Sequence, residues 1–327
     1  MKYAEYINFV LKKIVPSHDG LIIYGQNVTE GSRIGGLTRG LDITVKGKSK
    51  MVNTTNSENS LVGLGFGVML GGGTAAFFMK QLDFLFLGID QLVNTYNIIR
   101  NSPPASASSA GEWRAGGQAK GSFTIVPTVV DVANQGPHSS SNNFADFCSM
   151  ARIQGFAITN KYDAEKILTT HFGAPGFRII GVSHRFLKED IFDPGVPVAA
   201  DKEMKFVQYK DGEDATIVCF NFSFPYGWRL GGELEKIGKK PALFNVNYMT
   251  PIDWEPILIS AKRTGKLVVI DDSNSENLSC FSLLAEARKM GIQDKVMTSK
   301  PVDNWFNPVS SLMAEDYEKI AHELSKK

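Results

Sequence analysis

Apolar and polar positions along this chain fall into two alternating patterns. Short β-rich runs occupy 21–25, 74–79, 122–126, 155–159 and 177–182. Longer stretches with apolar residues every three or four positions occupy 4–14, 83–100, 141–153 and 162–171. A helix-like stretch over 60–71, with glycines at 63, 65, 67 and 71, follows a short β-type run before Asn53. Strands alternating with helices predict a mainly parallel sheet covered on both faces. The pattern breaks at 188–201, where prolines, a glycine and mixed charge suit a crossover. A second α/β series follows, with strands at 214–220, 242–246 and 266–270 and helices at 227–237, 253–263, 276–290 and 314–325. No internal repeat is visible.

The length of 327 residues suits two domains with separate cores. The expected division is 1–190, a linker over 191–204, and a smaller α/β domain over 205–327. Thirty-five basic and 34 acidic residues leave a formal charge of +1, which gives no reason to expect nucleic acid or an anionic membrane as partner. Cys148, Cys219 and Cys280 lie far apart in apolar surroundings, so buried free thiols in a reducing, cytoplasmic setting are expected. The first fourteen residues form an amphipathic helix pattern, not a signal peptide. Residues 60–79 come nearest to a membrane span, but six glycines and the following Lys80-Gln-Leu-Asp83 favour a buried helix, a turn and a strand. The small, polar, proline-bearing stretch 101–118 contains Trp113 and Arg114 and is either a spacer or a lid.

Candidate chemistry concentrates at two acid–base residues. Glu58, in Asn53-Thr-Thr-Asn-Ser-Glu58, stands between a strand end and the glycine-bearing helix. A carboxyl so placed is poorly solvated and tends to keep its proton or share it with a ligand nitrogen. His138, in Gln135-Gly-Pro-His138-Ser-Ser, occupies a loop after a strand, where α/β proteins place ligand-binding residues. His18, His171, His184 and His322 have no such context and are taken as structural or solvated. Phe84 and Phe86 offer aromatic faces on an amphipathic segment. Walker, Rossmann and zinc spacings are absent.

The order of five segments resembles one family. Ser57-Glu58, the Gly-x-Gly-x-Gly stretch, Ile89-Asp90-Gln91-Leu92-Val93-Asn94, Pro137-His138-Ser139 and Asn247-Tyr-Met-Thr-Pro-Ile-Asp253, continuing into 260–270, are collinear with the β subunit of thiamine diphosphate-dependent 2-oxoacid dehydrogenases. The resemblance covers nearly the whole chain. It implies a transketolase-like, doubly wound pyrimidine-binding domain followed by a transketolase C-terminal-like domain.

The resemblance also assigns roles. Glu58 would hydrogen-bond the cofactor's pyrimidine N1′ and control its tautomer. His138 would reach the reacting centre, orienting the substrate carboxylate or moving protons. Phe84 matches a ring that stacks on the pyrimidine, and Leu82 stands where many relatives carry a second aromatic. Gln26-Asn27 replaces an acidic residue near the cofactor, so Asn27 would hydrogen-bond there without relaying a proton. Asp90 and Gln91 match positions at a subunit interface. The Mg²⁺-binding Gly-Asp-Gly is missing, and Asn142-Asn143 with Gly111-Glu112 only mimics its spacing. The diphosphate and Mg²⁺ would therefore be held by an α subunit, in an α2β2 assembly served by a lipoyl acyltransferase. The alternatives are the C-terminal half of a split transketolase-like enzyme moving ketol units between sugars, and a non-catalytic scaffold that has kept the fold.

Overall fold

The computed structural model describes residues 1–42, 47–101, 121–131, 142–247, 253–273, 275, 277–298 and 311–326. His138, the stretch 102–118 and positions 248–252 lie outside the described residues.

The described residues form two six-stranded sheets. The first contains β1 (Leu21–Gly25), β2 (Lys50–Asn53), β3 (Thr74–Met79), β4 (Ser122–Val129), β5 (Gln154–Ile158) and β6 (Gly176–Ser183), in the order β2-β1-β3-β4-β6-β5. Every neighbouring pair is parallel. Parallel sheets need both faces covered, and their strands become apolar throughout. β4 and β6 are buried along their full length. Successive side chains point to opposite faces. Ile23 and Phe78 join one apolar cluster, while Tyr24 and Phe77 join another. The first face is covered by α1 (Tyr3–Ile14) and α5 (Lys161–His171). The second carries α2 (Glu58–Leu70), α3 (Tyr96–Asn101) and α4 (Phe144–Ala151).

The second sheet runs β12-β11-β9-β10-β8-β7, from β7 (Ala199–Ala200), β8 (Phe206–Lys210), β9 (Ala215–Phe220), β10 (Pro241–Val246), β11 (Lys266–Asp271) and β12 (Gln293–Thr298). β8 is its reversed strand, pairing antiparallel with both β10 and β7. Helix α6 (Phe224–Lys236) covers one face together with α10 (Tyr317–Ser325), which follows the short α9 (Ser311–Ala314). Helices α7 (Glu255–Thr264) and α8 (Phe281–Lys289) cover the other. The stretch expected to be a linker supplies β7, the exposed edge.

The segment expected to form one helix over 83–100 is instead a 3₁₀ turn at Leu82–Gly88, a π turn at Gln91–Thr95 and then α3. Gly88 explains part of the break. A Cβ there would lie 3.0 Å from Val62 Cγ2 and 3.3 Å from the Glu58 carbonyl oxygen, so this backbone is wound tightly against the start of α2.

The carboxyl ends of the two sheets meet. Ala157 N donates to Asn247 O at 2.8 Å, joining the ends of β5 and β10. Beside this contact, fully buried Asp163 accepts hydrogen bonds from Thr159 Oγ1 (2.7 Å), Asn160 Nδ2 (2.8 Å), Asn245 Nδ2 (3.0 Å) and Tyr209 Oη (3.0 Å). Burial pushes Asp163 up to about 6, against the pull of those donors. At the ends of β4, β6 and β11, Arg185 lies between Asp272 (2.9 Å) and Asp131 (3.3 Å). Arg185 also donates to Tyr226 Oη and Phe222 O.

Candidate functional site

Strand order places a crevice before any ligand is considered. The chain leaves β1 toward β2 on one side, while β3 is followed by β4 on the other. At such a reversal, the loops beyond neighbouring parallel strands diverge and open a cleft at the carboxyl edge. A cleft lies there, enclosing about 270 Å³ with its mouth included. Gln26 comes from the turn after β1, Thr55 and Asn56 from the loop after β2, and Glu58 and Leu61 from the first turns of α2. Phe77, Phe78, Met79 and Lys80 come from the end of β3, and Phe84 from the 3₁₀ turn.

The first turn of α2 is held firmly. Tyr24 stacks on Phe77 with ring centroids 5.1 Å apart and donates from its hydroxyl to Leu61 O at 2.7 Å. Ser57 makes no side-chain cap, because its hydroxyl bonds Ser60 Oγ. Glu58 therefore sits at an uncapped helix N-terminus, where free N–H groups and the helix dipole favour negative charge.

Gly65 sets how close α2 approaches the sheet. A Cβ at this position would meet Phe123 Cε2 and Cζ at 2.2 Å. The Phe123 ring is wedged against Phe66 and Phe177, so it has nowhere to swing. Gly65→Ala is expected to destabilise the chain by roughly 1–3 kcal/mol through overpacking. Denaturant unfolding checks this; an unchanged midpoint would mean that α2 is free to lift from β4.

α2 is less buried than its apolar sequence implied. Val62, Gly65, Phe66 and Met69 pack inward, whereas Asn59, Ser60, Leu64 and Gly67 are exposed. Glu58 is accordingly half-buried, not enclosed, in the single chain. Among the described residues its carboxyl has no ion pair or side-chain hydrogen bond.

The structure brings Glu58 and Phe84 to one cleft and places two other candidate residues elsewhere. Leu82 is buried in the core behind the cleft. Asn27 adopts a left-handed φ of 59°, and its amide lies beside Gly31 within its own turn; its neighbour Gln26 borders the cleft. Asp90 bonds Asn94, and Gln91 bonds Asn59 across to α2. Phe86 rests on Phe147 with centroids 4.6 Å apart. Cys148, Cys219 and Cys280 are buried free thiols. Sequence reasoning missed Thr55, Asn56 and Lys80. Lys80 had one visible signal, a lone charge ending the apolar run Thr74-Ala-Ala-Phe-Phe-Met79.

The cleft can bind one end of a flat, polar ring. Phe84 offers an apolar contact, Glu58 a carboxyl, and Gln26, Thr55 and Asn56 neutral donors and acceptors. Much of the enclosed space is its open mouth, so a cofactor-sized molecule would extend beyond it. None of the helices among the described residues is long and apolar enough to cross a membrane.

No family model matches the chain. Curated sequences do. The pyruvate dehydrogenase E1 component subunit beta of Rhizobium meliloti (strain 1021) is 22% identical over 278 residues, covering 83% of this chain and 56% of the relative. The 2-oxoisovalerate dehydrogenase subunit beta of Bacillus subtilis (strain 168) is 21% identical over 286 residues, covering 84% of this chain and 80% of the relative. The chain thus spans about half of the first relative and most of the second. A solved split gene transketolase, described as an inactive beta4 tetramer, matches with TM-score 0.67 and 14% identity over 99% of this chain and 98% of its own. The fold is transketolase-like, with two α/β sheets.

Proposed function

We propose that this chain, a relative of the E1 β subunits of 2-oxoacid dehydrogenases on a transketolase-like fold, is the pyrimidine-binding subunit of a thiamine diphosphate-dependent enzyme that decarboxylates a 2-oxoacid. The observation that carries the proposal is the meeting of Glu58 and Phe84 in one cleft at the strand-order reversal. Two residues 26 positions apart come together as an unpaired carboxyl and an aromatic side chain.

These residues fit the aminopyrimidine half of the cofactor. Glu58 would hold a proton at a ring nitrogen, and Phe84 would pack on the ring. Gln26, Thr55 and Asn56 would meet its polar edge. When bound, thiamine diphosphate supplies the carbon nucleophile for the 2-oxo carbon and the electron sink for loss of CO₂. Glu58 controls where the ring's proton resides, which is general acid–base work. His138 is proposed to orient the substrate carboxylate or move protons at the reacting centre.

The half-open cleft supports a shared site. A partner α subunit would cover the Glu58 edge, exclude water from the carboxyl and bind Mg²⁺ with the diphosphate. The structural neighbour is described as an inactive assembly of β chains. We carry this over as the expectation that the present chain alone does not turn over substrate. An α2β2 assembly passing its acyl group to a lipoyl acceptor completes the proposal.

Calorimetric titration with thiamine diphosphate and Mg²⁺, with and without the α-type product of a neighbouring gene, tests the reading. Saturable binding is expected only from the assembled pair. Lack of binding by the pair removes the function, and full binding by this chain alone removes the shared site. Product assays on 2-oxoacids and on ketose phosphates separate decarboxylation from ketol transfer.

A further inference from the structure

Lys80 is unaccounted for by cofactor binding. It follows directly on β3, an interior strand between β1 and β4 with five of its six residues buried, and is itself exposed in the single chain. It lines the same cleft as Glu58 and, among the described residues, is the only cation to do so. Glu58 is the cleft's only anion among the described residues, yet the two form no ion pair with one another. Among the described residues Lys80 has no hydrogen-bond or ion-pair partner at all. The cleft therefore presents two separated, opposite charges. In the single chain the Lys80 ammonium is solvated; closure of the cleft by a partner would strip that water and, with Glu58 engaged at a ring nitrogen, leave Lys80 needing an anion.

The chemistry of decarboxylation restricts which anion helps. An ion pair to the carboxylate that departs as neutral CO₂ weakens as the transition state forms, so it would stabilise the ground state and slow the reaction. A contact to a second anionic group, remote from the bond being broken, is retained throughout and raises the occupancy of the site without raising the barrier. We propose that Lys80 is a specificity-determining residue that binds a second, non-reacting anionic group of the substrate, which makes the substrate a 2-oxoacid bearing a distal carboxylate or phosphate. The proposal rests on the functional reading above and goes beyond it in naming the substrate class. A Lys ammonium, a compact point charge with three donors, binds carboxylate and phosphate alike, so the probes must distinguish them.

Amine acylation of the assembled complex, resolved at Lys80 by mass spectrometry, gives a readout that does not need turnover. The probes are 2-oxoglutarate, 2-oxopentanoate (the same carbon chain with an uncharged end) and ribose 5-phosphate, at matched ionic strength. Slowing of Lys80 labelling by several-fold with 2-oxoglutarate or ribose 5-phosphate, and not with 2-oxopentanoate, is expected and identifies the anion. Equal protection by all three, or by none, overturns the proposal. In the assembled complex, Lys80→Gln should raise KM for the dianionic substrate by about ten-fold, the value of one charged hydrogen bond. KM for 2-oxopentanoate and the affinity for thiamine diphosphate should stay within about two-fold. A parallel rise in both KM values, or a loss of thiamine diphosphate affinity, overturns it. Failure of the functional reading looks different: the wild-type complex would not bind thiamine diphosphate, while Lys80 labelling would still report on the anion.

Discussion

Glu58→Gln is expected to lower cofactor-dependent turnover of the assembled enzyme by roughly 10²–10⁴-fold, the range associated with losing a positioned acid–base group. The amide keeps the size and reach of the side chain but cannot give up and recover a proton. The fold should survive. Glu58 makes no side-chain hydrogen bond or ion pair among the described residues, and the first turn of α2 is anchored through Tyr24 and the tight contact at Gly88. What Glu58 gives the helix is its interaction with the dipole, about 0.3–1 kcal/mol. Turnover should therefore collapse while the unfolding midpoint barely moves and the α-type partner still binds. Steady-state rates, circular dichroism and size-exclusion of the mixed subunits check the three parts. A variant that retains turnover within about three-fold of wild type would end the assignment of Glu58, since a positioned acid–base group contributes far more.

The parts of the fold legible in the sequence are those where burial is two-sided. β1, β3, β4, β6, β9, β10 and β11 are near-continuous apolar runs because both faces are covered, and their expected limits fall within a few residues of those observed. β12, Gln-Asp-Lys-Val-Met-Thr, is mostly half-exposed at the sheet edge and carries little apolar signal. β8 alternates half-buried and buried positions, a weaker pattern than a continuous run, and β7 is two exposed alanines. Periodicity near 3.6 could not distinguish one long helix over 83–100 from the wound 3₁₀ and π turns, because the reason for the winding is Val62 and the Glu58 backbone, reached through space.

The candidate site divides in the same way. Glu58 and Phe84 were found through a family resemblance carried by local motifs. Gln26 in place of Asn27, and the presence of Lys80, depend on which loop ends converge at the reversal in strand order. The buried Asp131–Arg185–Asp272 arrangement left no trace in the sequence, because its members lie 54 and 87 positions apart and belong to both sheets.

That arrangement gives the largest expected change in stability. Arg185→Ala would strand two carboxylates that are fully enclosed, both side chains being 0% exposed. Breaking a buried pair in this way typically costs about 3–5 kcal/mol. The variant also loses the bonds to Tyr226 Oη and Phe222 O that tie the end of β6 to the second sheet. Arg185→Lys should recover only part of the loss, since an ammonium cannot reach Asp272, Phe222 O and Tyr226 with one planar fork. The pH dependence above neutrality identifies the cause. Burial pushes Asp272 up to about 7 despite Arg185, with Asp131 adding to the rise. Burial also opposes the charge on Arg185, but Asp131 and Asp272 outweigh it and hold the guanidinium protonated. Because the folded value of Asp272 lies above its ordinary value near 3.8, the folded state binds a proton that the unfolded chain releases between about pH 4 and 7. Stability from this group is therefore full below about pH 4 and declines as pH rises to about 7. Removing Arg185 should push Asp272 higher still, so the destabilisation should be nearly constant from acid pH up to about 7 and grow above it. Urea unfolding of wild type and Arg185→Ala from pH 4.5 to 8.5 measures the difference. A destabilisation that is constant across that range would mean that Arg185 acts through packing and its neutral hydrogen bonds alone, with no part played by the enclosed carboxylates.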